Sequence, residues 1–160
     1  MTLDDAARTF GRKVSEEMKA AAMRGLLSAA KRMCGIIVFK YIPGAKPQPV
    51  DRGAFKAAWG SGQEGDGAYY DNVAPHAPFV EYGVRAGASR PGRKMIRAIA
   101  DWAIRKGIAD KQNAIQVAFA IAHSIKARGI ASRAVMEAAN KGDLDAVVKE
   151  ELERAMRKLT

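Results

Sequence analysis

The chain has 160 residues, a formal net charge of +10 and a single cysteine. This length favours one domain, and the absence of a run of 18 apolar residues predicts no membrane-spanning helix. With Cys34 alone, an internal disulfide and a multi-cysteine zinc site are excluded, which fits a reducing cytoplasm. The first ten residues contain two acids and no apolar stretch, so no secretory signal is expected.

A long amphipathic helix is predicted over residues 3–34. Small and apolar residues recur there at steps of three and four, which places them on one side of a helix. Lys and Arg dominate the other side, and Gly35 is expected to end the helix. The apolar stripe consists of Leu3, Ala7, Phe10, Val14, Met18, Ala21, Gly25 and Ala29.

A small antiparallel sheet of three to four strands is predicted within residues 36–84. The segment IIVFKYI, 36–42, is β-branched and aromatic, as is typical of strands. The segment AYYDNVA, 68–74, is the second strand, and the glycine-rich segment 60–67 is expected to be a flexible hairpin loop. The segment PFVEYGV, 78–84, predicts either another strand or a single helical turn with a strand end.

Residues 91–159 are predicted to be helical. Gly107 and Gly129 each precede an isoleucine, a pattern typical of helix ends. Asp110 and Asp143 are expected to begin the helices that follow. The order of a long helix, antiparallel strands and further helices predicts an α+β fold in one domain. The last helix carries an apolar stripe of Leu144, Val148, Leu152, Met156 and Leu159.

Positive charge is concentrated in the second half of the chain. Residues 85–133 carry 11 basic and 2 acidic groups, whereas residues 51–84 carry 2 and 5. Such asymmetry is compatible with nucleic acid, an acidic partner surface or pairing between like subunits. No zinc finger, RNA-recognition signature or clear helix-turn-helix accompanies the charge, so only salt-sensitive, non-specific DNA binding is expected.

The segment VAPHAPFVEYGVRAG, 73–87, admits a catalytic and a structural interpretation. His76 and Glu81 could act as the general base and its partner in a hydrolase, but no metal-ligand pattern or phosphate loop accompanies them. In the structural interpretation Phe79 and Tyr82 supply core or interface area, and Glu81 pairs with a basic group or is solvated. We therefore expect no catalytic, cofactor-binding or metal-binding residues. The candidate interface residues are Phe79, Glu81, Tyr82, Arg85, Arg90 and Arg93.

Four segments occur in an order that is found together in one protein family. They are VDRGAFKAAW (50–59), APFVEYG (77–83), IRAIADWAIRKG (96–107) and ARGIASRAVMEAA (127–139). They resemble, in turn, the Pro-Val-Asp-Thr-Gly, Val-Glu-Tyr-Gly-Thr, Trp-bearing and Gly-Ile segments of the tail-completion, or neck, proteins of long-tailed bacteriophages. Arg52, Val84 and the pair Ala134-Val135 stand where that family usually has Thr, Thr and an aromatic residue.

The resemblance implies a non-enzymatic virion protein of the phage neck, assembled in the host cytoplasm. It implies a homo-oligomeric ring between the head's portal or adaptor protein and the tail terminator or tail-tube protein. Genomic DNA would cross the ring's channel without specific contacts, and neither a cofactor nor a membrane is implied. A small basic DNA-associated protein is the alternative function. Contacts between copies are expected at an open sheet edge or at the two apolar helix stripes, unless those stripes close the protein's own core.

Overall fold

The structure is a computed structural model that describes residues 3–45, 53–88 and 91–159, with side chains from residue 12 onward. It confirms the α+β class, with one antiparallel hairpin between a long helix and several C-terminal helices. None of the described helices combines the length and the hydropathy that a membrane span needs. The elements are α1 (Leu3–Ile36), α2 (Ile42–Gly44), α3 (Ala54–Ala57), β1 (Trp59–Glu64), β2 (Gly67–Asn72), α4 (Ala77–Tyr82), α5 (Arg93–Arg105), α6 (Ala114–Arg128), α7 (Val135–Ala139) and α8 (Asp145–Met156).

Helix α1 passes its predicted end at Gly35 and continues through a π-helical turn, Ile37–Tyr41, into α2. The strand predicted over 36–42 is therefore wrong. A π-helical turn follows i to i+5 spacing, which brings Ile37 and Ile42 to the same side, and both are fully buried. The burial of these two side chains outweighs the strand propensity of the segment, because β propensity depends strongly on context.

Strands β1 and β2 pair with Gly62 opposite Tyr69. The flexible loop predicted over 60–67 is wrong, because most of that segment forms β1, whereas the strand predicted over 68–74 is confirmed as β2. A Cβ atom at residue 62 would lie 2.7 Å from the hydroxyl oxygen of Tyr69, so the tyrosine ring covers this glycine. The described residues form two strands rather than the three or four expected.

The main core lies between α1, the hairpin and the C-terminal helices. Helices α1 and α8 pack closely, because a Cβ atom at Gly25 would lie only 3.0 Å from Leu152 Cδ2. Leu144, Val148 and Leu152 of the C-terminal stripe thus pack into the protein's own core, whereas Leu159 is exposed, as are Val14 and Met18 of the α1 stripe. The side chains of Leu3, Ala7 and Phe10 lie outside the described part. The core residues include Ala29, Met33, Ile37, Ile42, Phe55, Val135, Ala139 and Val147.

Glu151 is the buried charged residue of the α1–α8 contact, with 3% of its surface exposed. Its carboxylate accepts hydrogen bonds from Ser28 Oγ (2.8 Å), Arg32 Nη1 (3.1 Å) and Arg154 Nη1 (2.8 Å). The hydrogen bond from Ser28 lowers the pKa of the Glu151 carboxyl below 4.5, and the two guanidinium groups act in the same direction against the effect of burial. A paired buried carboxylate therefore joins the two helices.

Helix α7, a second π-helical turn and α8 form one continuous helical segment. The predicted cap at Asp143 is therefore wrong, because this residue lies inside that segment. Its carboxylate instead accepts hydrogen bonds from Lys40 Nζ (2.8 Å) and Tyr41 Oη (2.7 Å), which lower the pKa of the Asp143 carboxyl. The two π-helical turns are thus joined to each other.

Helices α5 and α6 pack against each other around a second, smaller apolar cluster. Gly107, with φ +67°, follows the end of α5 as predicted, whereas α6 begins at Ala114 and not at Asp110. Asp110 instead forms a turn in which its Oδ1 accepts hydrogen bonds from the backbone N–H groups of Gln112 (2.8 Å) and Asn113 (2.9 Å). The cluster consists of Ile96, Ala100, Ala114, Ala118 and Ala122.

Candidate assembly interface

Of the two alternatives predicted for residues 78–84, the strand is wrong, and the helical turn is observed as the short helix α4. Pro78 lies in its first turn, where a missing N–H costs no helical hydrogen bond. The chain leaves the helix at Gly83, and Val84 then forms an antiparallel bridge with Ile130. Each of these two residues donates its N–H to the other's carbonyl oxygen at 2.8 Å.

Gly83 and Gly129 allow this bridge to form. Both adopt positive φ, +74° and +76°, a region that residues with a Cβ atom rarely occupy. A Cβ atom at Gly83 would overlap the carbonyl oxygen of Ile130, and one at Gly129 would overlap that of Val84. The two glycines therefore bring together the segments 77–83 and 127–139, which lie far apart in the sequence.

Glu81 caps helix α7. Its Oε1 accepts hydrogen bonds from the backbone N–H groups of Met136 (2.9 Å) and Glu137 (3.0 Å). These donors are among the N–H groups that lack partners at a helix start, and the helix dipole favours a negative charge there. Ala134 precedes α7 with φ +44°, and its side chain has no oxygen, so the cap must come from another part of the chain.

The ion pair expected for Glu81 is absent among the described residues. Arg85 and Arg93 are exposed, and neither forms an ion pair with a residue that the structure describes. Arg90 and Arg52 lie outside the described residues. Pairing of Glu81 with an arginine of a neighbouring copy stays a prediction.

Phe79 and Tyr82 lie on the surface. Their exposed fractions are 56% and 80%, and their i, i+3 spacing places them on one side of α4. They therefore contribute little to the core of the protein. Their exposure is compatible with the interface role predicted for them, which no contact in the single chain tests.

A shallow pocket of about 170 Å³ lies beside Tyr82, and we call it the Tyr82 pocket. Its walls are mostly apolar, and the rings of Phe55 and Trp59 meet edge to face with their centroids 5.8 Å apart. Two acids and no basic residue line it, and the carboxylate of one of them, Asp71, forms no ion pair with a described residue. The lining includes Phe55, Trp59, Asp71, Glu81, Tyr82 and Met136.

The first five residues of helix α5 include three exposed basic residues, Arg93, Lys94 and Arg97, which we call the α5 basic cluster. Its first turn contains no acid, so the charges of Arg93 and Lys94 face the positive end of the helix dipole. No ion pair joins these three side chains to any residue in the described ranges. This arrangement leaves three cations without local compensation.

No contact joins His76 and Glu81 to each other in the described structure. His76 is exposed and precedes α4, its ring packs near Phe55 at a centroid distance of 6.1 Å, and the described contacts include no hydrogen bond between it and Glu81. The carboxylate of Glu81 is engaged by the start of α7. Within the described residues no three His, Cys, Asp or Glu side chains are grouped to hold a metal ion.

The cap and the bridge were not predicted from the sequence. One signal could have found the cap: a helix start at Val135 that follows an alanine, and not Ser, Thr, Asp or Asn, needs an acceptor from elsewhere.

Comparisons with protein-family models, with curated proteins and with solved structures found no match to this chain.

Proposed function

We propose that this chain is a structural protein of a bacteriophage neck that forms a homo-oligomeric ring. The ring joins the head's portal or adaptor protein to the tail terminator or tail-tube protein, and genomic DNA crosses its channel without specific contacts. The protein acts in the virion and has no catalytic role. The support is the ordered series of four family-like segments, together with the surface properties of one of them.

The observation that carries the proposal is the exposure of Phe79 and Tyr82 within the family-like segment 77–83. Aromatic side chains are enriched at protein interfaces, and covering them contributes about 25 cal/mol per Å² of apolar surface. A surface of this kind is favourable to cover with a partner protein. The exposed aromatic side chains thus support an assembly role for the segment 77–83.

The backbone under these aromatic side chains is held at two places. Glu81 binds the start of α7, and the Val84–Ile130 bridge fixes the chain just after α4. A surface presented from a fixed backbone loses less conformational entropy when a partner binds it. The capping carboxylate and the two close glycines thus support assembly by holding this backbone in place.

The test uses a bacterial strain that produces the phage particles encoding this chain. Deleting the gene should leave filled heads and finished tails unjoined in electron micrographs, and the wild-type gene supplied in trans should restore joining. Tyr82→Ala should fail to restore it, whereas Gln116→Ala, at an exposed position of α6, should restore it. Intact particles assembled without this chain would contradict the proposal.

A second candidate function, a small basic DNA-associated protein, is favoured by the exposure of basic residues on α5, α6 and their connection. For seven of these basic residues the described structure contains no ion pair with an acid. Their charge supplies attraction to phosphates but no base readout. They are Arg93, Lys94, Arg97, Lys106, Lys111, Lys126 and Arg128.

A further inference from the structure

We propose that the Tyr82 pocket receives a basic side chain from the α5 basic cluster of a second copy of this chain. The inference rests on the proposed ring, because it names the contact between neighbouring copies. It assigns two features that the single chain leaves unused: an acidic aromatic pocket and a group of uncompensated cations.

The pocket has the chemistry to bind a cation. Faces of aromatic rings attract ammonium and guanidinium groups, and Phe55, Trp59 and Tyr82 all line the pocket. Asp71 and Glu81 add negative charge, and no basic residue of the same chain lines the pocket. Its volume of about 170 Å³ is well below the roughly 300–1,000 Å³ of cofactor and substrate sites, so it suits one side chain.

The α5 basic cluster would be stabilised by a nearby negative charge. Each cation near the start of a helix is disfavoured by the helix dipole by a few tenths of a kcal/mol or more. A carboxylate from another copy would offset that repulsion. Arg93 and Arg97 also carry planar guanidinium groups, which stack on aromatic rings and bind carboxylates with two hydrogen bonds.

The partner is a second copy because the two complementary features do not pair with each other within one chain. Within the described residues, Arg93, Lys94 and Arg97 form no ion pair with Asp71 or Glu81. A patch that binds a different patch on an identical chain makes a head-to-tail contact, and repeated contacts of this type close into a ring when the rotation allows. A head-to-tail contact is therefore the type of contact that the proposed ring requires.

The test uses the full-length purified chain in sedimentation velocity at low and high salt. Tyr82→Ala and Asp71→Asn alter the pocket, and the triple variant Arg93→Gln, Lys94→Gln, Arg97→Gln alters the cluster. Each should weaken self-association about tenfold or more, as expected when a buried contact at the centre of an interface is removed. Thermal melts should stay at the wild-type value for Tyr82→Ala, because that side chain is 80% exposed.

Mixing a pocket variant with the cluster variant gives the sharper result. Each variant keeps one intact surface, so the mixture should form heterodimers that do not grow further. Wild-type self-association in all variants would overturn the inference while leaving the ring proposal intact, because copies would then meet elsewhere. A chain that stays monomeric would also overturn it, as would a cluster variant that loses only DNA binding. The proposed function fails separately, when particles join without this chain.

Discussion

Glu81 caps the helical segment that contains Met136, by accepting a hydrogen bond of 2.9 Å from the Met136 backbone N–H. The backbone carbonyl of Glu81 also accepts a hydrogen bond from Ala134 N–H (3.2 Å), so both ends of the residue hold the start of α7. The neighbouring Tyr82 is 80% exposed. The two adjacent residues therefore have different roles: Glu81 stabilises the fold, and Tyr82 is available to a partner.

This division predicts opposite outcomes for two neighbouring alanine substitutions. Glu81→Ala should lower the free energy of unfolding by about 0.5–2 kcal/mol, the usual cost of losing a helix cap. Glu81→Gln should cost less, because an amide oxygen still accepts the hydrogen bonds. Tyr82→Ala should leave the value within about 0.5 kcal/mol of wild type, as for other exposed substitutions. Denaturant titration measures all three, and a Glu81→Ala variant with wild-type stability would show that the cap contributes nothing.

The two glycines at the bridge predict a larger effect than positive φ alone can give. Gly87 also has positive φ (+79°) but would place a Cβ atom in open space, so Gly87→Ala is a matched control. It should cost about 1–2 kcal/mol from backbone strain. Gly83→Ala and Gly129→Ala should cost clearly more, since each added atom overlaps backbone across the bridge. Equal destabilisation of Gly83→Ala and Gly87→Ala in denaturant titrations would contradict the close approach.

Local sequence patterns correctly predicted the helices and strand whose own residue spacing or composition indicates their secondary structure. The small and apolar residues of α1 and the stripe on α8 predicted two helices, and β2 was predicted from its aromatic composition. The strand predicted for residues 36–42 was wrong because its β-branched residues lie in a π-helical turn, where Ile37 and Ile42 are buried on the same side. Strand β1 was missed because glycine-rich sequence does not indicate a strand. Gly62 instead packs under the ring of Tyr69 on the opposite strand.

The candidate site was predictable only in part, for a related reason. Its residue types indicated surface and pairing roles, and Phe79 and Tyr82 do lie on the surface. The partners of Glu81 are two backbone N–H groups of α7, and a backbone group does not reveal its partner through residue type. Contacts of this kind depend on the long-range bridge between Val84 and Ile130, so local sequence patterns do not reveal them.

Basic charge without a readout motif predicts weak and salt-dependent binding to duplex DNA. If about six phosphates are bound, affinity should fall about a thousandfold or more between roughly 50 and 200 mM salt. Replacing Arg93, Lys94 and Arg97 by Gln should reduce the slope of log affinity against log salt by about one for each phosphate that the variant no longer neutralises. Fluorescence anisotropy with two unrelated duplexes measures both effects. Tight binding to one sequence at physiological salt would instead support the DNA-associated function.

The buried carboxylate of Glu151 predicts a pH-dependent stability of the α1–α8 contact. Since the fold lowers its pKa below 4.5, its stabilising contribution is complete above that pH and is lost as pH falls through the folded-state value. Glu151→Gln should therefore lower the melting temperature at neutral pH, and its difference from wild type should narrow in acid. Glu153→Gln, an exposed change of equal charge on α8, is the control and should show a small difference at every pH. Asp143 also loses its contribution in acid, but it does so in wild type and variant alike, so the difference between them isolates Glu151. Calorimetry between about pH 3 and pH 7 tests this, and a difference that stays constant into acid would contradict the proposed role of the ionised carboxylate.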